Sequence, residues 1–121
     1  MAKGKLLGAW GEALAAEYLR CHRCEIIGCN FTTRLGEIDV IARDGGCIAF
    51  VEVKLRKDES HGAAREFVTP VKQRKLRQTA ALYLAEHPTE LQPRFDVIEI
   101  YAPYGMATKK PKITHWKDAF T

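Results

Sequence analysis

No apolar run in this chain approaches the roughly 18 continuous residues of a membrane-spanning helix. There is no internal repeat, no low-complexity tract and no linker rich in proline or serine, so the 121 residues predict a single domain over 1–121. Cysteine is scarce: Cys21, Cys24, Cys29 and Cys47. Cys21 and Cys24 form one CxxC with His22 between them, but a zinc ribbon needs a second, distant pair and none exists. Zinc is therefore not expected, and a cysteine–zinc interaction domain is only a third reading. Cys21, Cys24 and Cys29 read as small, semi-buried thiols at a helix end and the following strand. The histidines, His22, His61, His87 and His115, stand at no metal-ligand or triad spacing.

An export signal is also missing. The N-terminal MAKGKLLGAWGEALAAEYL is basic and partly apolar, yet Glu12 and Glu17 interrupt the apolar run. It reads as a helix of the mature domain, which makes a cytoplasmic protein the expectation and a disulfide framework unexpected. The chain is 46% apolar and 28% charged, an ordinary soluble globular composition. A net charge of +4 and a pI near 8.9 permit an anionic partner without requiring one.

Leu7, Trp10, Leu14 and Tyr18 recur at helical spacing and predict a helix over 5–20, with Glu12 on the flank of the apolar face. Gly8 and Gly11 weaken it by roughly 1 kcal/mol each relative to alanine. That cost suggests that a strand or a ligand approaches the helix closely. A short strand is expected over 25–31. Two more strand-like runs then flank the turn signal DGG and predict a hairpin. Residues 56–68 read as a polar loop. Thr69 as N-cap and Pro70 at the first helical position open a second helix, with Val71, Leu76, Ala80 and Tyr83 as its apolar stripe and His87-Pro88 as its end. FDVIEIY, residues 95–101, reads as a third long strand. After it come a basic loop with Lys109, Lys110 and Lys112, then a terminal piece docking on the body. The order predicts an α/β fold, a mixed sheet with helices against it.

Within the hairpin, FVEVK places Glu52 and Lys54 on one face beside Phe50, because side chains at i and i+2 of a strand share a face. With the turn centred on Asp44-Gly45, Asp39 lies opposite Phe50 and Glu52 is its diagonal neighbour, about 7 Å away. Ile38, Val40, Val51 and Val53 then form a core layer on the other face. Asp39, Glu52 and Lys54 make the pattern D-x12-E-x-K. Phosphodiester hydrolysis needs a hard divalent cation, oxygen ligands to hold it, and a positive group where charge develops. Two carboxylates and a lysine meet those needs. Taken alone, FVEVK reads better as an exposed ion pair worth well under 1 kcal/mol, because short motifs match by chance.

GEID and FVEVK resemble the motif of the PD-(D/E)xK nuclease superfamily. GAWGE, GEIDVIARDGG, FVEVKLR and RFDVI, in that order over roughly residues 8 to 120, resemble the YraN family of bacterial proteins, which is similar to archaeal Holliday junction resolvases. The resemblance implies a restriction-endonuclease-like mixed β-sheet flanked by helices. It implies Asp39 and Glu52 as metal-binding carboxylates, Lys54 as the catalytic lysine, and Glu12 as a helix glutamate that supplements the site. It further implies Mg²⁺ or Mn²⁺ as cofactor, a homodimer, and work in DNA repair or recombination. Ile38 stands where many members carry proline. Glu37, before Asp39 on the same face, is either a third acid or a solvated strand-end residue, and the second reading is preferred. Gln73 lies on a helix where some members place a glutamine near the lysine.

Lys72, Arg74, Lys75 and Arg77 fall within six residues, with Arg56, Lys57 and Arg65 upstream. Such a stripe suits a phosphate backbone, although charge runs are commonly solvated faces. Lys72, Arg74, Lys75 and Arg56 are the candidate DNA contacts, with recognition by backbone or shape, since no base-reading motif is present. The reading is a metal-dependent endonuclease acting on DNA, including branched or structured DNA. The alternative is a catalytically silent nucleic-acid-binding or partner-recruiting module on the same fold.

Overall fold

The computed structural model describes residues 3–58 and 68–121. In chain order it contains helix α1 (Lys3–Cys21), strands β1 (Glu25–Thr33), β2 (Gly36–Asp44) and β3 (Cys47–Arg56), and helix α2 (Pro70–Glu86). Strand β4 (Gln92–Tyr101), a short 3-10 turn (Gly105–Ala107) and strand β5 (Lys112–Phe120) complete it. The sheet has five strands in the order β1-β2-β3-β4-β5. β3 and β4 run parallel, with α2 in the connection between them, and the other neighbours are antiparallel. This is the expected α/β architecture, a mixed sheet between two helices.

Each helix covers one face of the sheet. Ala15 and Leu19 of α1 pack with Val40, Ala42, Ala49, Val51, Ile98 and Ile100. Trp10, Leu14 and Tyr18 border that cluster, half-buried, so the helix turns its smaller residues deepest into the core. Leu76, Ala80 and Tyr83 of α2 pack with Ile38, Ile41, Ile48, Phe50 and Val97 on the opposite face. Val71, expected in that stripe, is instead 54% exposed, and Thr79 is buried in its place with its hydroxyl donating to the Lys75 carbonyl at 2.7 Å. Thr69 caps the helix as expected, its hydroxyl accepting from the Lys72 N–H at 3.2 Å, and His87 follows the last turn.

The hairpin differs from the expected register. Its loop is Gly45-Gly46, with Asp44 paired to Cys47 and Val40 to Val51. Gly45 takes φ 59°, the left-handed value that a tight two-residue turn asks of its first central residue. The pairing thus slides by two residues, and a slide of two preserves the faces. Ile38, however, belongs to the α2 layer and not to the layer of Val40, Val51 and Val53. The alternation of β2 switches at Asp39, where the strand parts from β3.

On β4, level with Val51, a buried polar network ties the sheet edge down. Asp96 is fully buried and accepts from Arg94 twice at 2.8 Å and from the Asp118 N–H at 3.0 Å, while His115 Nε2 lies 2.8 Å away. Burial pushes its pKa up, but the bonds from His115, Arg94 and Asp118 outweigh that and bring it to about 2. Arg94 also reaches Asp44 at 2.9 Å. The tail is therefore a full strand that includes Lys112 rather than an accessory piece. No helix among the described residues is long and apolar enough to cross a membrane.

Candidate metal centre

The last β2–β3 ladder pair is Val40 and Val51. Beyond it the strands separate, and the Asp39 carboxylate takes over the vacated position, its Oδ2 accepting from the Val53 N–H at 2.8 Å. A side chain thereby substitutes for a missing strand contact. The backbone donor is satisfied and the carboxylate is fixed at the mouth of the split.

Two further acids meet Asp39 there. Glu12 of α1, Glu37 and Asp39 each offer an oxygen within 4.8 Å of the others. Glu12 is half-buried and Glu37 exposed. Burial raises the Asp39 pKa to about 7, with the Glu52 charge next in importance and Glu12 and Glu37 adding to it, against the Val53 N–H that lowers it. Glu12 is also raised, first by burial and then by Glu37 and Glu52, while hydrogen bonds from Asn30 and Asp39 oppose the shift. Both shifts run in the direction that crowding of like charges and burial impose.

Glu52 lies outside the close trio but within its field. It is buried, and its Oε1 pairs with Lys72 Nζ from α2. Lys54 follows two residues along β3, half-buried, in register with Glu99 of β4. Of the expected metal ligands, the structure therefore gathers Asp39 and Glu12 tightly and sets Glu52 beside them on a lysine.

Glu37, expected to be a solvated strand end, completes the trio. Its spacing of two from Asp39 was the available signal. Asn30 of β1, at a left-handed φ of 55°, stands near enough to Glu12 to oppose the rise of its pKa. No sequence pattern announces that contact.

The trio fits a hard divalent cation. Octahedral Mg²⁺ at 2.0–2.1 Å sets its oxygen ligands roughly 3–4 Å apart, a spacing that small rotamer changes would reach from the observed one. All three donors are carboxylate oxygens, and their mutual repulsion is what an ion would relieve. A cleft of about 450 Å³ opens beside them, lined by Lys5, Gly8, Ala9, Glu12, Asn30 and Glu37. A β-carbon added at Gly8 would meet nothing within 4 Å, whereas one at Gly11 would touch Leu55 Cδ1 at 3.6 Å. The sheet approaches the helix at Gly11, and Gly8 faces open space.

The basic residues divide into three groups. Lys72 is half-buried and engaged by Glu52. Arg56 is buried, its guanidinium 3.1 Å from Glu99, so it does not belong to an exposed stripe. Arg74, Lys75, Arg77 and Lys57 are exposed; Arg77 donates to the Thr121 carbonyl at 2.9 Å. Arg65 and His61 lie outside the described residues. Gln73 donates to the Val68 carbonyl at 2.9 Å, tying down the chain that enters α2. All four cysteines are free thiols, with Cys24 buried and Cys47 half-buried.

A mixed sheet between two helices, with acids collected where two central strands part, is consistent with a restriction-endonuclease-like domain. The chain belongs to the UPF0102 (YraN) family: residues 11–100 match the family described as "Uncharacterised protein family UPF0102". It is 43% identical over 120 residues to a UPF0102 protein of Geotalea uraniireducens, covering 98% of this chain and 92% of that one. It is 43% identical over 121 residues to one of Rhodococcus opacus, covering 99% and 100%. With one of Symbiobacterium thermophilum it shares 48% identity over 95 residues, covering 78% and 80%. Those names state no activity.

Proposed function

We propose that this protein is a metal-dependent endonuclease hydrolysing DNA phosphodiesters, with branched or otherwise structured DNA as its substrate class. The observation that carries the reading is the carboxylate trio at the split of β2 and β3, with Asp39 locked onto the Val53 N–H and raised to about 7. A carboxylate with a perturbed pKa beside other acids at the edge of a cleft is a functional-site candidate. Asp39, Glu12 and Glu37 would hold Mg²⁺ or Mn²⁺, with Glu52 close behind. The ion would supply Lewis acidity toward a phosphoryl oxygen and an activated water.

The chain's own groups supply the rest. The Val53 N–H holds Asp39, and Asn30 stands beside Glu12. Lys54, on the face of β3 that carries Glu52, offers positive charge where negative charge grows on the phosphate. Exposed Arg74 and Lys75 would meet the backbone of the nucleic acid. A homodimer would present two such centres to a branched substrate.

The Lys72–Glu52 pair favours a second reading. A carboxylate already engaged by a lysine suits a scaffold that binds nucleic acid or a partner without cutting. The deciding experiment offers linear, nicked, flapped and four-way DNA to the purified protein with Mg²⁺ or Mn²⁺, beside calorimetry of ion binding. Cleavage that disappears in Asp39→Ala supports the enzyme. Absence of both cleavage and ion binding leaves the binding module.

A further inference from the structure

The four acids around the split, Glu12, Glu37, Asp39 and Glu52, could in principle hold two divalent ions. Their arrangement is unequal. Glu12, Glu37 and Asp39 face one another within 4.8 Å, and Glu52 stands apart with its carboxylate on the Lys72 ammonium. The Glu52 side chain is 10% exposed and that of Lys72 42% exposed, so the ammonium closes the solvent side of a carboxylate that is otherwise shut in.

We infer that Lys72 takes the place of a second metal ion, so that the centre holds a single divalent cation and Lys72 is the positioning residue for Glu52. The inference rests on the metal-centre reading above and fixes its stoichiometry.

Charge supports it. Fully ionised, the acids carry four negative charges. Lys72 balances one of them, and one divalent ion balances two more. A second ion would leave the pocket positive before any phosphate arrived.

Helix geometry supports it as well. Thr69 and Pro70 fix the start of α2, and the Lys72 N–H is itself bonded to the Thr69 hydroxyl at 3.2 Å. Lys72 therefore projects from the first, capped turn of a helix. The Gln73 side chain pins the same turn to the Val68 carbonyl at 2.9 Å. A lysine on a doubly anchored turn is a defined ligand for Glu52, unlike a long side chain on a free surface.

Removing the ammonium exposes the logic. A buried carboxylate stripped of its partner is strongly disfavoured as a bare ion. It must take up a proton or recruit another cation, and the neighbouring acids make a divalent cation the favoured choice.

Calorimetry with Mn²⁺ on the full chain, supported by the electron paramagnetic resonance of bound Mn²⁺, tests this. Wild type should bind one ion and give the spectrum of an isolated Mn²⁺. Lys72→Met should bind two and show spin coupling between them. Adding Glu52→Gln to that variant should return the count to one, and Lys72→Arg should keep it at one. Two ions in wild type, or one ion at unchanged affinity in Lys72→Met, overturns the inference. No ion in wild type is a different failure, because it removes the metal-centre reading itself and the inference with it. Circular dichroism checks that Lys72→Met remains folded; if it does not, Lys72→Gln carries the same comparison.

Discussion

The Asp39 carboxylate receives the backbone N–H of Val53 at 2.8 Å, across a point where β2 and β3 no longer pair. One contact thus ends a strand ladder and orients the central acid of the candidate site. Because burial and the Glu52 charge raise this carboxyl from 3.8 to about 7, the site is electrically strained without a cation.

That strain gives a pH signature. Between about pH 4 and 7 the folded chain keeps a proton on Asp39 that the unfolded chain has released. The contribution to stability is therefore whole below the unfolded value and is lost as pH rises to the folded one. Melting in EDTA should show the metal-free protein losing stability across that window, with Asp39→Asn flattening the loss. The opposite tendency of Asp96, lowered to about 2, operates at more acid pH and does not mask it. Mg²⁺ should reverse the trend, since the ion displaces the proton and binds more tightly as pH rises.

Ion affinity should track the trio rather than the motif. Glu37→Gln and Glu12→Gln should each weaken Mn²⁺ binding more than Glu52→Gln does, measured by calorimetry at pH 8. Asn30→Ala should lower the affinity by about tenfold, the usual cost of losing a partner that orients a metal-binding side chain. Equal affinities in wild type and Glu37→Gln would return Glu37 to a solvated strand end.

The start of α2 was legible because Thr69 and Pro70 act locally, through a side-chain cap and a fixed φ. The hairpin was legible in its faces and not in its register. Gly45-Gly46 offers a turn as well as Asp44-Gly45 does, and a slide of two residues costs the alternation nothing. Asp39 and Glu12 were found from the motif and the resemblance. The neighbours of Glu37 and Lys72 were not legible, because they are set by tertiary geometry. Glu37 joins the site only where β2 leaves β3, and Lys72 meets Glu52 only once α2 has crossed the sheet. Arg56 looked like surface charge, but the last residues of β3 remain inside the sheet, where Glu99 faces it from β4.

The exposed cations of α2 make a separate prediction. Neutralising Arg74 and Lys75 should weaken DNA binding alike on unrelated sequences. Each lost phosphate contact should reduce the slope of log affinity against log salt by about one. Arg56→Gln should instead leave that slope unchanged and lower the melting temperature, because it breaks a buried pair. A salt slope that ignores Arg74 and Lys75 would move the nucleic-acid surface off α2.

Lys54 separates catalysis from binding. It is half-buried on β3, two residues beyond Glu52. A lysine beside the scissile phosphate acts mainly on charge that develops in the transition state, which raises turnover more than affinity. Lys54→Ala should therefore cut the cleavage rate by at least about a hundredfold, the scale of losing one such donor, while DNA affinity measured in Ca²⁺ changes less than about threefold. Asp39→Ala should also stop cleavage, but through loss of the ion, so raised Mn²⁺ should restore part of its activity and none of that of Lys54→Ala. If Lys54→Ala cleaves at the wild-type rate, FVEVK carries no catalytic group. The acids would then be a metal-binding element of a protein that recognises nucleic acid without cutting it.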